Sequence, residues 1–216
     1  MLARLHLVRH GEVFNPQGLV YADLPGFPLS ELGRAQAAAA AEHLAASGIT
    51  VLATSPLPRA RETAGFIGRR LGVEPMSDPG LTEWGLSMRW AGEPWLDLER
   101  RFPGEATAYA ADPADLPFAP ESLAEVVARM TAVVTALGKH HPGAVAAVVS
   151  HQDPIHALRR ILGGDGFASF HTDKPVHAAV ITLDRQADRW IETGSWAPDT
   201  VGAPFPPPTA DLVDGR

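Results

Sequence analysis

Ala144-Val145-Ala146-Ala147-Val148-Val149-Ser150-His151 is the stretch on which the fold turns. A run of apolar residues between Pro142-Gly143 and a polar Ser-His pair has the pattern of a strand buried on both faces, as at the centre of a parallel sheet. Its neighbours agree. Glu121 to about His140 is an amphipathic helix closed by Pro142-Gly143, and Gln152 to Leu162 is helical, ending at Gly163-Gly164.

The same alternation runs through the N-terminal half. Leu5 to Val8 is a short strand ending in Arg9-His10-Gly11. Ser30 is a fitting N-cap for an Ala-rich helix over 31–46, with Gly48 as its stop. Ile49 to Ala53 is a second strand, a helix spans about Pro58 to Leu71 before Gly72, and Glu74 to Ser77 is a short strand. Val176 to Leu183 and Arg189 to Thr193 are the last two strands, joined as a hairpin through Asp184–Asp188. This order predicts an α/β fold: a three-layer α/β/α sandwich around a mainly parallel mixed sheet. Residues 1–196 form one domain on this reading. Residues 12–29 are a Pro- and Gly-rich loop, the irregular, Trp-rich 84–120 segment is a lid or cap insertion, and 197–216 are a Pro-rich tail.

At 216 residues and 45% hydrophobic, the chain can bury a sizeable core. A net charge of −7 argues against nucleic acid or a membrane surface as partner. Without cysteine, thiolate catalysis and zinc–sulfur sites are excluded. The N-terminal apolar run is too short and too interrupted for a signal peptide, and no stretch approaches a membrane span, so a cytoplasmic protein is the default expectation.

In a parallel α/β sheet, ligands bind beyond the carboxyl ends of the strands. Three polar clusters fall there. In Arg9-His10-Gly11-Glu12, an imidazole nitrogen can attack phosphorus, Arg9 can grip phosphate oxygens with its planar fork, and Gly11 lets backbone approach an anion. In Ser55-Pro56-Leu57-Pro58-Arg59, a cation in the first helical turn opposes the macrodipole unless an anion sits there. Ser150-His151 adds a third group, cationic if protonated. A fourth piece, Leu81-Thr82-Glu83-Trp84-Gly85, sets a carboxyl among apolar residues, which would raise its pKa and suit it to proton transfer. Taken singly, each also fits a structural role: solvent-facing loop residues for the first and fourth, an Arg paired with Glu62 or Glu42, and a capping histidine. No side chains show metal-ligand spacing, and His140-His141 and His171 read as surface residues.

Together these pieces resemble the histidine phosphatase superfamily, the phosphoglycerate mutase-like proteins, from about Leu5 to Thr193. The matching stretches are Leu7 to Glu12, Leu29 to Ala37, Ser55 to Ala64, Leu81 to Glu83, Glu121-Ser122 and Val148 to His151. The resemblance implies a phosphohistidine intermediate on His10, phosphoryl binding by Arg9, Arg59 and His151, and Glu83 as proton donor. It implies no cofactor and no metal, because two guanidiniums and an imidazolium would neutralise the charge. Gly11, Asn15 and Gln152 are further phosphate- or substrate-binding candidates. Three departures stand out: Gln152-Asp153 where many relatives have Gly, Val13 in place of Ser or Thr, and Asn15 one residue early. The expected activity is hydrolysis of a small phosphorylated metabolite. A phosphoglycerate mutase-type transferase is the alternative, disfavoured by the chain's length, and a phospho-ligand-binding protein without turnover is the third. Oligomeric state stays open, a homodimer among the options.

Overall fold

The computed structural model describes residues 1–200. Six strands form one sheet: β1 (Arg4–Arg9), β2 (Ile49–Thr54), β3 (Met76–Ser77), β4 (Val145–Ser150), β5 (Val180–Gln186) and β6 (Arg189–Trp196). Their order is β3-β2-β4-β1-β5-β6. β1 and β2 flank β4 in parallel, whereas β5 and β6 extend the sheet antiparallel beyond β1. The sheet is therefore mixed, with a parallel centre.

Alternation along the strands sorts the core into two layers. Leu5, Leu7, Val51, Ala53, Ala146 and Val148 belong to one apolar cluster, and Val8, Leu52, Ala147 and Val149 to the other. The second layer is covered by α1 (Glu31–His43) and α2 (Pro58–Leu71). The first is covered by α6 (Leu123–His140), α7 (Gln152–Gly163) and the segment that precedes α6. That segment holds three short helices, α3 (Gly85–Arg89), α4 (Leu98–Arg101) and α5 (Glu105–Ala111).

Local chemistry sets the helix ends. Ser30 Oγ accepts from Gly33 N at the start of α1. Ser122 and Glu125 form a capping box on α6, which is why that helix begins at Leu123 rather than at Glu121. Gly72 and Gly164 end α2 and α7 in the left-handed region. α1 stops at His43, short of the expected 46, because residues 44–47 turn back on themselves, with Ser47 N and Oγ both donating to Leu44 O.

The largest departure from the sequence reading is β5, which starts at Val180 instead of Val176. Ala178 has φ +56°, which breaks an extended run, and its N–H donates to His10 O. The apolar stretch 176–179 is thus a loop crossing the end of β1. The predicted tail lies outside the described residues from 201 onward.

Candidate active site

β1, β2 and β4 end side by side, and each ends in a polar group. His10 follows β1, Ser55 follows β2 with Arg59 the second residue of α2, and His151 follows β4. His10, Ser55, Arg59, Ser150 and His151 are all buried. Pro58 opens α2 at a position where its missing N–H costs nothing, so Arg59 points back over the strand ends.

The geometry of His10 fixes its tautomer. Nδ1 lies 2.8 Å from the Gly11 carbonyl oxygen, which can only accept, so Nδ1 carries the proton. Nε2 is left with its lone pair, toward which Arg59 Nε donates at 3.3 Å. Burial, then the charges of Arg59 and its neighbours, hold the His10 pKa well below the usual imidazole range. A neutral imidazole with its lone pair on Nε2 is what an in-line attack on phosphorus requires.

Around it, buried donors go unused. Arg59 gives NH1 to the Ala22 carbonyl at 2.8 Å, and its NH2 has no hydrogen-bond partner among the described residues. Arg9 gives NH1 to Pro175 O and NH2 to His177 Nε2, each at 2.9 Å, while its Nε is likewise unpartnered. His151 Nδ1 is the third such atom. Its Nε2 lies 2.7 Å from Ser55 Oγ, which already accepts from Leu57 N and can donate its own proton to the ring. A proton on His151 Nδ1 then faces the site. Orphaned buried donors are costly, and three converging beside His10 are complementary to a multiply charged oxyanion.

Glu83 faces the same space. Its Oε2 lies 3.9 Å from Arg59 NH2 and 3.7 Å from His151 Nδ1, and Oε1 accepts from Trp84 N. Burial raises its pKa, with Arg59 opposing. The loop carrying it is clamped by Arg129 of α6, which donates to the carbonyls of Gly80, Thr82 and Glu83 and pairs with Glu121. A carboxyl whose pKa is raised at that place can give a proton to a leaving oxygen and later take one from water.

Three expectations change in detail. His151 is neutral in the open site, not cationic: burial and the charges of Arg59, Arg129 and Arg9 push its pKa well below normal. Asn15 has its side chain engaged in closing a turn on the backbone N and O of Leu19. Gln152 donates to Pro175 O, sharing that acceptor with Arg9. Gly11 is placed beside His10, its N–H donating to Thr63 Oγ1. A Cβ on Gly11 would overlap the Gly33 carbonyl oxygen, and one on Gly33 would overlap that of Glu12. That close approach explains both glycines.

Sequence reasoning missed Tyr21, whose ring lies 4.7 Å from the Arg59 guanidinium, and His177, whose ring centroid is 5.7 Å from that of His10. It also missed Arg129. A charge between Val126 and Val133 on the apolar face of α6 was the available signal for Arg129, and a histidine interrupting an apolar run was the one for His177. Among the described residues, no cluster of three His, Cys, Asp or Glu could hold a metal ion, and no helix is long and apolar enough to cross a membrane.

Comparison with known proteins agrees with this geometry. The model of the histidine phosphatase superfamily (branch 1) matches residues 5–195. Phosphoserine phosphatase 1 of Hydrogenobacter thermophilus is 30% identical over 190 residues, covering 86% of this chain and 89% of its own. Glucosyl-3-phosphoglycerate phosphatase of Mycobacterium tuberculosis is 32% identical over 167 residues, covering 74% of each. The solved structure of a mycobacterial glucosyl-3-phosphoglycerate phosphatase in complex with VO3 superposes with a TM-score of 0.79 at 30% identity, covering 88% of this chain and 97% of that one.

Proposed function

The chain belongs to branch 1 of the histidine phosphatase superfamily, and from that premise we propose that it hydrolyses a small phosphomonoester through a phosphohistidine on His10. The observation that carries this reading is the His10 tautomer: with Nδ1–H held by Gly11 O, the lone pair is on Nε2, and Arg59 Nε, which donates to it at 3.3 Å, must turn to a phosphoryl oxygen as it attacks. Nε2 bonds to phosphorus as the bond from phosphorus to the leaving oxygen breaks, and Glu83 gives that oxygen its proton. Water then attacks the phosphohistidine, losing a proton to Glu83 as the P–N bond breaks. Arg9 Nε, Arg59 NH2 and His151 Nδ1 are the donors for the equatorial oxygens, where charge must be offset throughout.

Water is favoured as acceptor over a rearranged substrate because the relatives named above are phosphatases. The neutralising role falls to guanidiniums, so the reading requires no metal and a chelator is expected to leave the rate unchanged. Residues 84–120 are read as the segment that selects the leaving group, since they follow Glu83 directly in the chain and bring the Tyr109 hydroxyl to Asp153 of α7. The test is phosphate release from a panel of phosphomonoesters, with rapid-quench trapping of an acid-labile phosphoenzyme. Failure to form phosphoenzyme while releasing phosphate overturns the His10 assignment. Exchange of phosphate between positions of phosphoglycerate, without net release, makes the protein a mutase instead.

A further inference from the structure

Arg9 is held unusually for a buried guanidinium. Both of its terminal nitrogens are pinned by one short loop, NH1 on Pro175 O and NH2 on His177 Nε2, each at 2.9 Å. A planar guanidinium fixed at two nitrogens has its whole plane fixed, and Nε–H remains buried without a hydrogen-bond partner among the described residues. Both acceptors are uncharged. The carboxylates that Arg9 senses are Glu83 and Asp153. Asp153 is already tied to Lys174 Nζ at 2.7 Å and to the Tyr109 hydroxyl at 3.1 Å. Neither carboxylate hydrogen-bonds Arg9 among the described residues.

The loop invests strain in this arrangement. Ala178, next to His177, sits at φ +56°, a conformation that a residue with a Cβ rarely adopts. That kink lets Ala178 N reach His10 O while His177 turns its ring toward Arg9. Burial and the adjacent Arg9 charge drive the His177 pKa down to about 2, so the ring remains an acceptor at Nε2.

We propose that His177 is a positioning residue that aims Arg9 at the phosphoryl group, and that an uncharged acceptor there keeps the full charge of Arg9 available to the anion. A carboxylate in its place would hold Arg9 equally well but cancel its charge and repel the substrate. This rests on the phosphoryl-binding reading above. The experiment compares wild type with His177→Gln, His177→Glu and His177→Leu, measuring inorganic phosphate affinity by calorimetry, kcat and KM on an aryl phosphomonoester, and thermal stability.

Gln reaches to the position of Nε2 and is neutral, so phosphate affinity and kcat/KM should stay within about threefold of wild type. Leu removes the acceptor and should weaken phosphate by about 10- to 100-fold. Glu should weaken phosphate by at least an order of magnitude relative to Gln at similar Tm. Leu behaving as wild type, or Gln and Glu equally impaired, overturns the proposal. If Leu prevents folding, the Gln and Glu pair, matched in size, still decides. Phosphate binding without turnover in the wild type would sink the hydrolase reading but leave the affinity series able to judge His177. A wild type that binds no phosphate overturns both.

Discussion

The ends of β1, β2 and β4 and the segment from 84 to 120 are built differently. At the strand ends each side chain emerges from a regular element buried on both faces, and its direction is fixed by the sheet. In the segment above, helices of four to seven residues are joined by turns and held by aromatic packing. Trp90, Trp95 and Tyr109 meet edge to face, and the outer surface is laced by pairs such as Arg89–Glu105 and Arg101–Glu93. The first arrangement tolerates no displacement of a charge. The second can exchange residues while its apolar interior stays filled. On the function proposed above, labour would be divided: the strand ends would perform the chemistry and the segment above would choose the partner of the phosphoryl group.

The hardest test of that division removes the strand-end chemistry. His10→Ala should lower kcat by about four orders of magnitude or more and abolish the trapped phosphoenzyme. Near-wild-type turnover would end the comparison, because the reaction would then lie elsewhere. Glu83→Gln comes next, at the boundary of the two regions, with a loss of about 10²- to 10⁴-fold on alkyl phosphates. The sign of its pH dependence is fixed. A carboxyl that must be protonated to act loses activity as pH rises through its raised pKa, so wild type should show a basic limb that Gln lacks. His10 must be neutral, and its lowered pKa moves the acid limb below the usual imidazole range. Aryl phosphates, with better leaving groups, should suffer less from the Gln substitution.

In the upper segment the expected effects are small. Tyr109→Phe deletes a hydroxyl that donates to Asp153 and accepts from Lys174 at 2.7 Å, but leaves the Lys174–Asp153 pair intact. Stability should fall by about 1 kcal/mol. KM should change several-fold with kcat within about twofold, measured on two substrates of different size. A kcat loss like that of Glu83→Gln would erase the distinction between the regions. The mildest probe loads the core beneath both. His6 and His156 are buried, and desolvation lowers each pKa to about 4. The unfolded chain binds their protons more readily, so their contribution is complete above about pH 6.5 and is lost as pH falls to 4. Tm should decline across that window, and less so in a His156→Phe variant. A flat Tm would mean that both rings stay hydrated.

How much was legible in sequence follows the same contrast. Val145 to Val149 could only be a central strand, and placing His151, His10 and Ser55 at neighbouring strand ends required no side-chain detail. His177 was hidden because Val176, Ala178 and Ala179 made its loop look extended, and nothing in composition reveals that an alanine takes φ +56°. Tyr21 sits in a Pro- and Gly-rich loop with no periodicity to place it. Asn15 was read for its residue type, although an asparagine beside Pro16 and Gly18 closes a turn as readily as it binds an anion. The protonation of His151 depends on how many guanidiniums share its surroundings, and that is a property of the folded chain alone.

The contact between Gly11 and Gly33 has a consequence for engineering. It joins the backbone that carries His10 directly to α1, with no side chain between them to be varied. A combinatorial library that varies the exposed positions of 84–120 while holding its buried core residues, such as Trp84, Trp90 and Leu98, and Gly11 and Gly33 constant would leave that backbone contact in place. One that admits alanine at either glycine would discard it at the outset. On the proposed function, retargeting to a new phosphate ester would then be a search over the exposed positions of that one segment.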